Sequence, residues 1–163
     1  MFYDRSNNAV KKPKNREIKQ RISVYGVCIK DKKILFVIPT WNDFLDLPGG
    51  GTKGKTHEQG LITEFIEETG YDLLEYDKTP FTVLKSNFYS DDLDIFYENT
   101  SYFYIVKKLG EQDKTKIQPD EIKELKWINI NELDKYELAK KHREALNILF
   151  EKFKNIENLE LFN

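Results

Sequence analysis

The sequence predicts one domain of the α+β class, with a largely antiparallel sheet and two helices. Three observations carry this. Apolar residues alternate in short stretches before residue 40 and again between residues 81 and 130, while helical spacing occurs in only two places. A length of 163 residues, with 39% hydrophobic residues including 11 Phe, 9 Tyr and 2 Trp, suffices for one core. No internal repeat, linker or low-complexity tract divides the chain.

The elements follow in order. MFYDRSNNAVKKPKNREIK has no apolar stretch of the secretory kind and is expected to be a loosely ordered basic lead-in over 1–18, a solubilising tail. QRISVYGVCI (20–29) and ILFVI (34–38), joined by Asp31, Lys32 and Lys33, read as a hairpin. After Pro39 and Trp41, Phe44 to Leu47 form a short apolar segment, stopped by Pro48 and by Gly49, Gly50 and Gly51, where the backbone must bend or approach something closely. Thr56 and Gln59 make a capping box, Leu61, Ile62, Phe65 and Ile66 share a face, and Gly70 stops this first helix, read over 57–69. Strands are expected at 81–88, at 95–108 with a break at Asn99, and at 125–130. A second helix over 133–153 carries Leu138, Ala145, Leu146, Leu149, Phe150 and Phe153 on one face and packs on the sheet. The domain proper is read as 19–155, with a tail at 156–163.

Composition excludes several classes. The 26 basic and 28 acidic residues leave a net charge of -2, so nothing draws the chain as a whole to nucleic acid or an anionic membrane. No apolar run approaches the roughly 18 residues of a membrane span. The one cysteine, Cys28, reads as a small buried strand residue and fits a reducing compartment, so the expected location is cytoplasmic.

Two motifs overlap after Pro48. GGGTKGKT (49–56) satisfies the phosphate-loop pattern G-x-x-x-x-G-K-[ST], in which backbone N–H groups cradle phosphates, Lys55 reaches the terminal one and Thr56 holds magnesium. That loop belongs to a parallel sheet with crossover helices, whereas the segment after Gly70 offers strands joined by polar loops. The second motif is Glu64, Glu67 and Glu68 at i, i+3 and i+4, three carboxylates on one helix face. Such a face is commonly just solvated. Behind a glycine-rich turn, however, it suits a hard divalent cation with oxygen ligands.

The stretch LPGGGTKGKTHEQGLITEFIEETGY (47–71) resembles the Nudix box, G-x5-E-x7-R-E-U-x-E-E-x-G-U with U apolar, and the surrounding strands resemble the Nudix hydrolase family over roughly 21–153. The spacing holds throughout from Gly49 to Tyr71, with two departures: Lys55 stands where the family has its first glutamate, and Thr63 where it has arginine. The resemblance implies an α/β/α sandwich and a magnesium- or manganese-dependent pyrophosphohydrolase acting on a nucleoside diphosphate derivative. It implies that Glu64, Glu67 and Glu68 bind metal with the Gly49 carbonyl, and that Glu64 orients or deprotonates the attacking water. A further carboxylate is expected from a later loop, first Glu121 and then Glu98. The implied partner is a small nucleotide, with a capped RNA end as the one nucleic-acid exception. A weakened nucleotide-binding module, motivated by Lys55 and Thr63, and a phosphate-loop enzyme stay open as alternatives. His57 reads as a surface histidine with a phosphate contact as the alternative, Trp41, Phe88, Tyr89 and Tyr97 read as core packing or loop anchors with base stacking as the alternative, and His142 reads as structural or solvated.

Overall fold

A computed structural model describes residues 1–162 of the chain. Its strands are β1 (Phe2–Tyr3), β2 (Ala9–Val10), β3 (Ile18–Val27), β4 (Ile29–Lys30), β5 (Lys33–Pro39), β6 (Gly49–Gly51), β7 (Tyr71–Tyr76), β8 (Thr82–Ser90), β9 (Ile95–Gln112) and β10 (Ile122–Asn129). The helices are α1 (His57–Thr69) and α2 (Lys140–Lys152), with 3-10 turns at Lys114–Lys116, Ile130–Lys135 and Ile156–Leu159. One sheet runs β2-β1-β8-β9-β3-β6, with β7 pairing the far end of β9; the other runs β10-β5-β4. Most pairs are antiparallel, but β3 runs parallel to β9 from Ile18↔Phe96 to Val27↔Ile105.

Period-two alternation sorts the core into two halves. Tyr25, Val27, Ile34, Phe36, Phe103 and Ile105 pack with Ala145, Leu146 and Leu149 of α2. Their neighbours Val24, Leu35, Tyr104 and Val106 pack with Leu61 and Phe65 of α1. The helices therefore cover opposite sheet faces, and the layering is α/β/α.

Several expectations change in detail. The hairpin exists only at its tip: Ile29 pairs with Ile34 across Asp31 and Lys32, whose φ values of 51° and 61° are those of a tight two-residue hairpin turn. Beyond Cys28 the long strand β3 leaves that pairing for β9 and β6. Asn99 does not break β9. It is fully buried and bonds Ser23 and Ser101. The second helix begins only at Lys140, because a 3-10 turn ends at Lys135 and Leu138 bridges to Leu45. β6 and β7 were not anticipated.

The ends are more ordered than their composition suggests. Phe2 is buried edge-on against Phe96 at 5.1 Å, and β1 aligns Tyr3 beside Phe88 of β8. The Asp4 carboxylate accepts the Ser6 and Asn8 amides, tightening the turn between β1 and β2. The tail is likewise docked, with Leu159 buried and the Leu161 amide donating to the Ile29 carbonyl at 2.7 Å. No helix is long and apolar enough to cross a membrane.

Candidate active site

The site is assembled around β6. Each of its glycines leaves room for something specific. A Cβ on Gly49, whose φ is +147°, would lie 2.0 Å from the Val24 carbonyl oxygen; on Gly50 it would meet the Glu64 carboxylate at 3.0 Å; on Gly51, the Arg21 guanidinium at 3.1 Å. The first is a backbone clash across the β3 ladder, and the other two are berths for charged groups.

The helix that follows is capped as its sequence requires. The Thr56 hydroxyl accepts from the Gln59 amide at 3.1 Å, and the Gln59 side chain accepts from the Thr56 amide at 3.2 Å. At the other end Gly70 adopts φ 75° and its amide closes on the Ile66 carbonyl. With Leu61 and Phe65 buried in the core, the helix turns Glu64 and Glu68 toward β6. Glu68 Oε1 accepts the Gly49 amide at 3.0 Å, which fastens α1 to the glycine strand. Glu121 joins from a loop tied to the same helix: the Gln118 amide donates to the Glu67 carbonyl at 2.8 Å, and the Glu121 amide turns back to Gln118.

Glu64, Glu68 and Glu121 line a cleft of about 840 Å³, together with Asp46, whereas Glu67 lines a small neighbouring pocket with Lys55, Thr63 and Glu64. Burial raises the Glu64 carboxyl, and Glu67 and Glu121 raise it further against the pull of Lys53 and Arg21. Burial also pushes Glu68 well up; the Gly49 hydrogen bond opposes this, while Glu64, Asp46 and Glu121 add to it. Asp46 is pushed up to about 7 by burial, with Lys141 pulling the other way. Carboxylates so raised have too little positive charge around them. This all-oxygen donor set fits a hard divalent cation. Among the described residues no three His, Cys, Asp or Glu side chains are gathered closely enough to enclose an ion unaided. A bound ion would therefore complete its shell with phosphate oxygens and water.

The remaining candidates separate cleanly. Glu98 does not line the cleft: Tyr97 does, and the next residue along β9 points to the other face. His57 is not a phosphate contact either. It packs over Tyr102 and shares a hydrogen bond with the Tyr104 hydroxyl at 3.2 Å on the α1 side. His142 is structural: buried, it accepts the Leu47 amide at Nδ1, and burial holds its pKa well below 6.5. Trp41, Phe88 and Tyr97 line the cleft, whereas Tyr89 donates to Asp94 outside it. Asp46 was missed because a lone aspartate among Phe44, Leu45 and Leu47 has no spacing partner in the sequence. The phosphate-loop reading is overturned. Gly49–Gly51 is a strand in an antiparallel ladder, the Thr56 hydroxyl is spent on its helix cap, and Lys55 Nζ reaches Thr63 Oγ1 at 3.5 Å.

Fold and site define a class: an α/β/α domain that collects carboxylate oxygens from a capped helix beneath a glycine strand. Its solved likenesses agree in fold. The MutT NUDIX hydrolase from Burkholderia pseudomallei superposes with a TM-score of 0.65 at 19% identity, over 80% of this chain and 98% of the other. MutT, from a study of Aliivibrio salmonicida and Vibrio cholerae, gives 0.62 at 21%, over 83% and 100%. The NUDIX domain of Shewanella oneidensis NrtR, complexed with ADP ribose, gives 0.55 at 15%, over 87% and 93%. No curated protein matches in sequence. The family described as NUDIX domain matches residues 19–149, and the chain belongs to it.

Proposed function

We propose that the chain is a divalent-cation-dependent pyrophosphohydrolase that cleaves the diphosphate linkage of a nucleoside diphosphate derivative. The observation that carries this is the convergence of Glu64, Glu68, Glu121 and Asp46 on one cleft, where burial above all raises the Glu64, Glu68 and Asp46 carboxyls. Glu64, Glu67, Glu68 and the Gly49 carbonyl would hold magnesium or manganese, which would supply neutralisation of the diphosphate charge and a more acidic water. Glu64 orients the attacking water and takes its proton. Oxygen adds to one phosphorus, the bridging P–O bond breaks, and the departing phosphate oxygen leaves with the electron pair. Gly50 leaves the space in which the Glu64 carboxylate lies, and the Gly49 amide fixes Glu68. The test is magnesium-dependent turnover of a panel of nucleoside diphosphate derivatives beside Glu67→Gln. A loss of about 10²-fold or more in kcat is expected of the variant. Equal turnover by the variant, or none by the wild type on any substrate, rejects the proposal.

A second reading, a nucleotide-binding module with weak turnover, is favoured by one contact. Lys55 meets the neutral Thr63 hydroxyl, so the helix turn before Glu67 carries no guanidinium to orient it. Binding of a nucleotide that survives Glu67→Gln while the wild type shows no hydrolysis supports this reading instead.

A further inference from the structure

Carboxylates are not the only charged groups in the cleft. The sheet residues of β3 and β8 and Tyr97 of β9 line the same cleft, and two of its cations, Arg21 and Lys141, draw down the nearby Glu64 and Asp46 carboxyls respectively. Arg21 of β3 lies against Gly51 and 5.5 Å from the centre of the Phe88 ring, and Lys141 of α2 lies 5.7 Å from the same centre. Among the described residues neither is in an ion pair.

Lys141 is held by neutral groups. Its Nζ donates to the Tyr25 hydroxyl at 2.8 Å, and with the Asn99 amide turned to satisfy both its ends, the amide oxygen accepts from Lys141 at 3.2 Å. Asn99 in turn belongs to the buried cluster with Ser23 and Ser101, whose hydroxyls lie 2.9 Å apart. An ammonium whose hydrogen bonds go to a phenol and an amide forms no direct ion pair with a carboxylate, and Lys141 lines the cleft. Arg21 lies against Gly51, where an added Cβ would come within 3.1 Å of the guanidinium. Planar guanidinium and point-like ammonium are the two groups that suit phosphate oxygens.

We infer that Arg21 and Lys141 form a second, metal-independent anion subsite, which holds a phosphoryl group beyond the two that flank the cleaved bond. The preferred substrates are then nucleotides with three or more linked phosphoryl groups rather than diphosphates joined to a neutral moiety. This rests on the hydrolase reading for the position of the cleaved bond. The subsite itself is tested by binding.

Calorimetric titration in magnesium should show inorganic tripolyphosphate binding at least about 10-fold more tightly than inorganic pyrophosphate, the contribution of one charge-assisted contact. Arg21→Gln and Lys141→Gln should each bring that ratio to within about 2-fold of one, with Arg21→Lys retaining part of it. A wild-type ratio near one, or a ratio that survives both glutamine substitutions, overturns the inference. Thermal melts establish that the variants fold, and should Lys141→Gln fail, the ratio in Arg21→Gln decides. If no nucleotide is hydrolysed yet the ratio stands, the hydrolase reading falls and the subsite remains. If kcat/KM favours diphosphates carrying a neutral moiety over triphosphates, the subsite falls and the hydrolase remains.

Discussion

Replacing Asp46 by asparagine should stabilise the protein, and more so the higher the pH. The carboxyl titrates near 3.8 when free and at about 7 in the fold, chiefly because it is desolvated. A raised acid leaves stability intact below pH 3.8 and loses it progressively as pH rises toward 7, because the unfolded chain ionises first. At 1.36 kcal/mol per pH unit, the ceiling on that loss is about 4 kcal/mol at pH 8 and about 1.6 kcal/mol at pH 5. Asp46 is only half-buried, so solvent reduces both to about half, leaving a gain of about 2 kcal/mol at pH 8 and under about 1 kcal/mol at pH 5. Asparagine keeps the shape, the peptide and the backbone pairing with Val37. Urea denaturation followed by the fluorescence of Trp41 and Trp127, at pH 5 to 8 in chelator, measures the difference. A gain that is the same at all pH values, or a variant less stable than wild type at pH 8, refutes desolvation of Asp46 as the origin.

His142 should act with the opposite sign. Its depressed pKa gives stability that is present above 6.5 and is lost as pH falls, so the margin of wild type over His142→Gln should shrink by about 1.4 kcal/mol per pH unit below 6.5 in the same urea assay. Gly49→Ala, which drives a Cβ into the Val24 carbonyl, should cost about 3 kcal/mol or more, read from the urea midpoint. Asn7→Ala removes the acceptor for the Lys140 amide and the donor to the Leu138 carbonyl, and should cost about 1 kcal/mol. Thr63→Arg alone places a second cation beside Lys55 and should do little for the rate. Combined with Lys55→Glu it should raise kcat/KM beyond the sum of the single changes, by a coupling of about 0.5–1 kcal/mol.

The first helix was legible to the residue because its signals are local: Thr56 and Gln59 close its start, Gly70 its end, and the three glutamates keep a fixed spacing. Glu121, expected from its place before the tryptophan strand, lines the cleft, whereas Glu98 does not, because strand parity is set by pairing far away in sequence. What escaped was non-local. Phe2 is buried only because β8 and β9 present an edge and Phe96 an aromatic face, so a charged, polar composition hid a strand. Asn99 looked like a strand breaker and is instead satisfied by Ser23, 76 residues away. The second helix lost its first turns to Leu138, which pairs with Leu45.

Asn7 caps α2 in place of a local residue, for Ala139 at the helix start offers no side-chain cap. The two partners are separated by 133 residues. During synthesis Asn7 must therefore wait for Lys140 before this corner of the cleft can close, and the parallel union of β3 with β9 imposes a similar delay. Substrate or metal present at that moment would meet a nearly complete domain, so ligand should accelerate the final docking of α2 far more than the early collapse of the sheet.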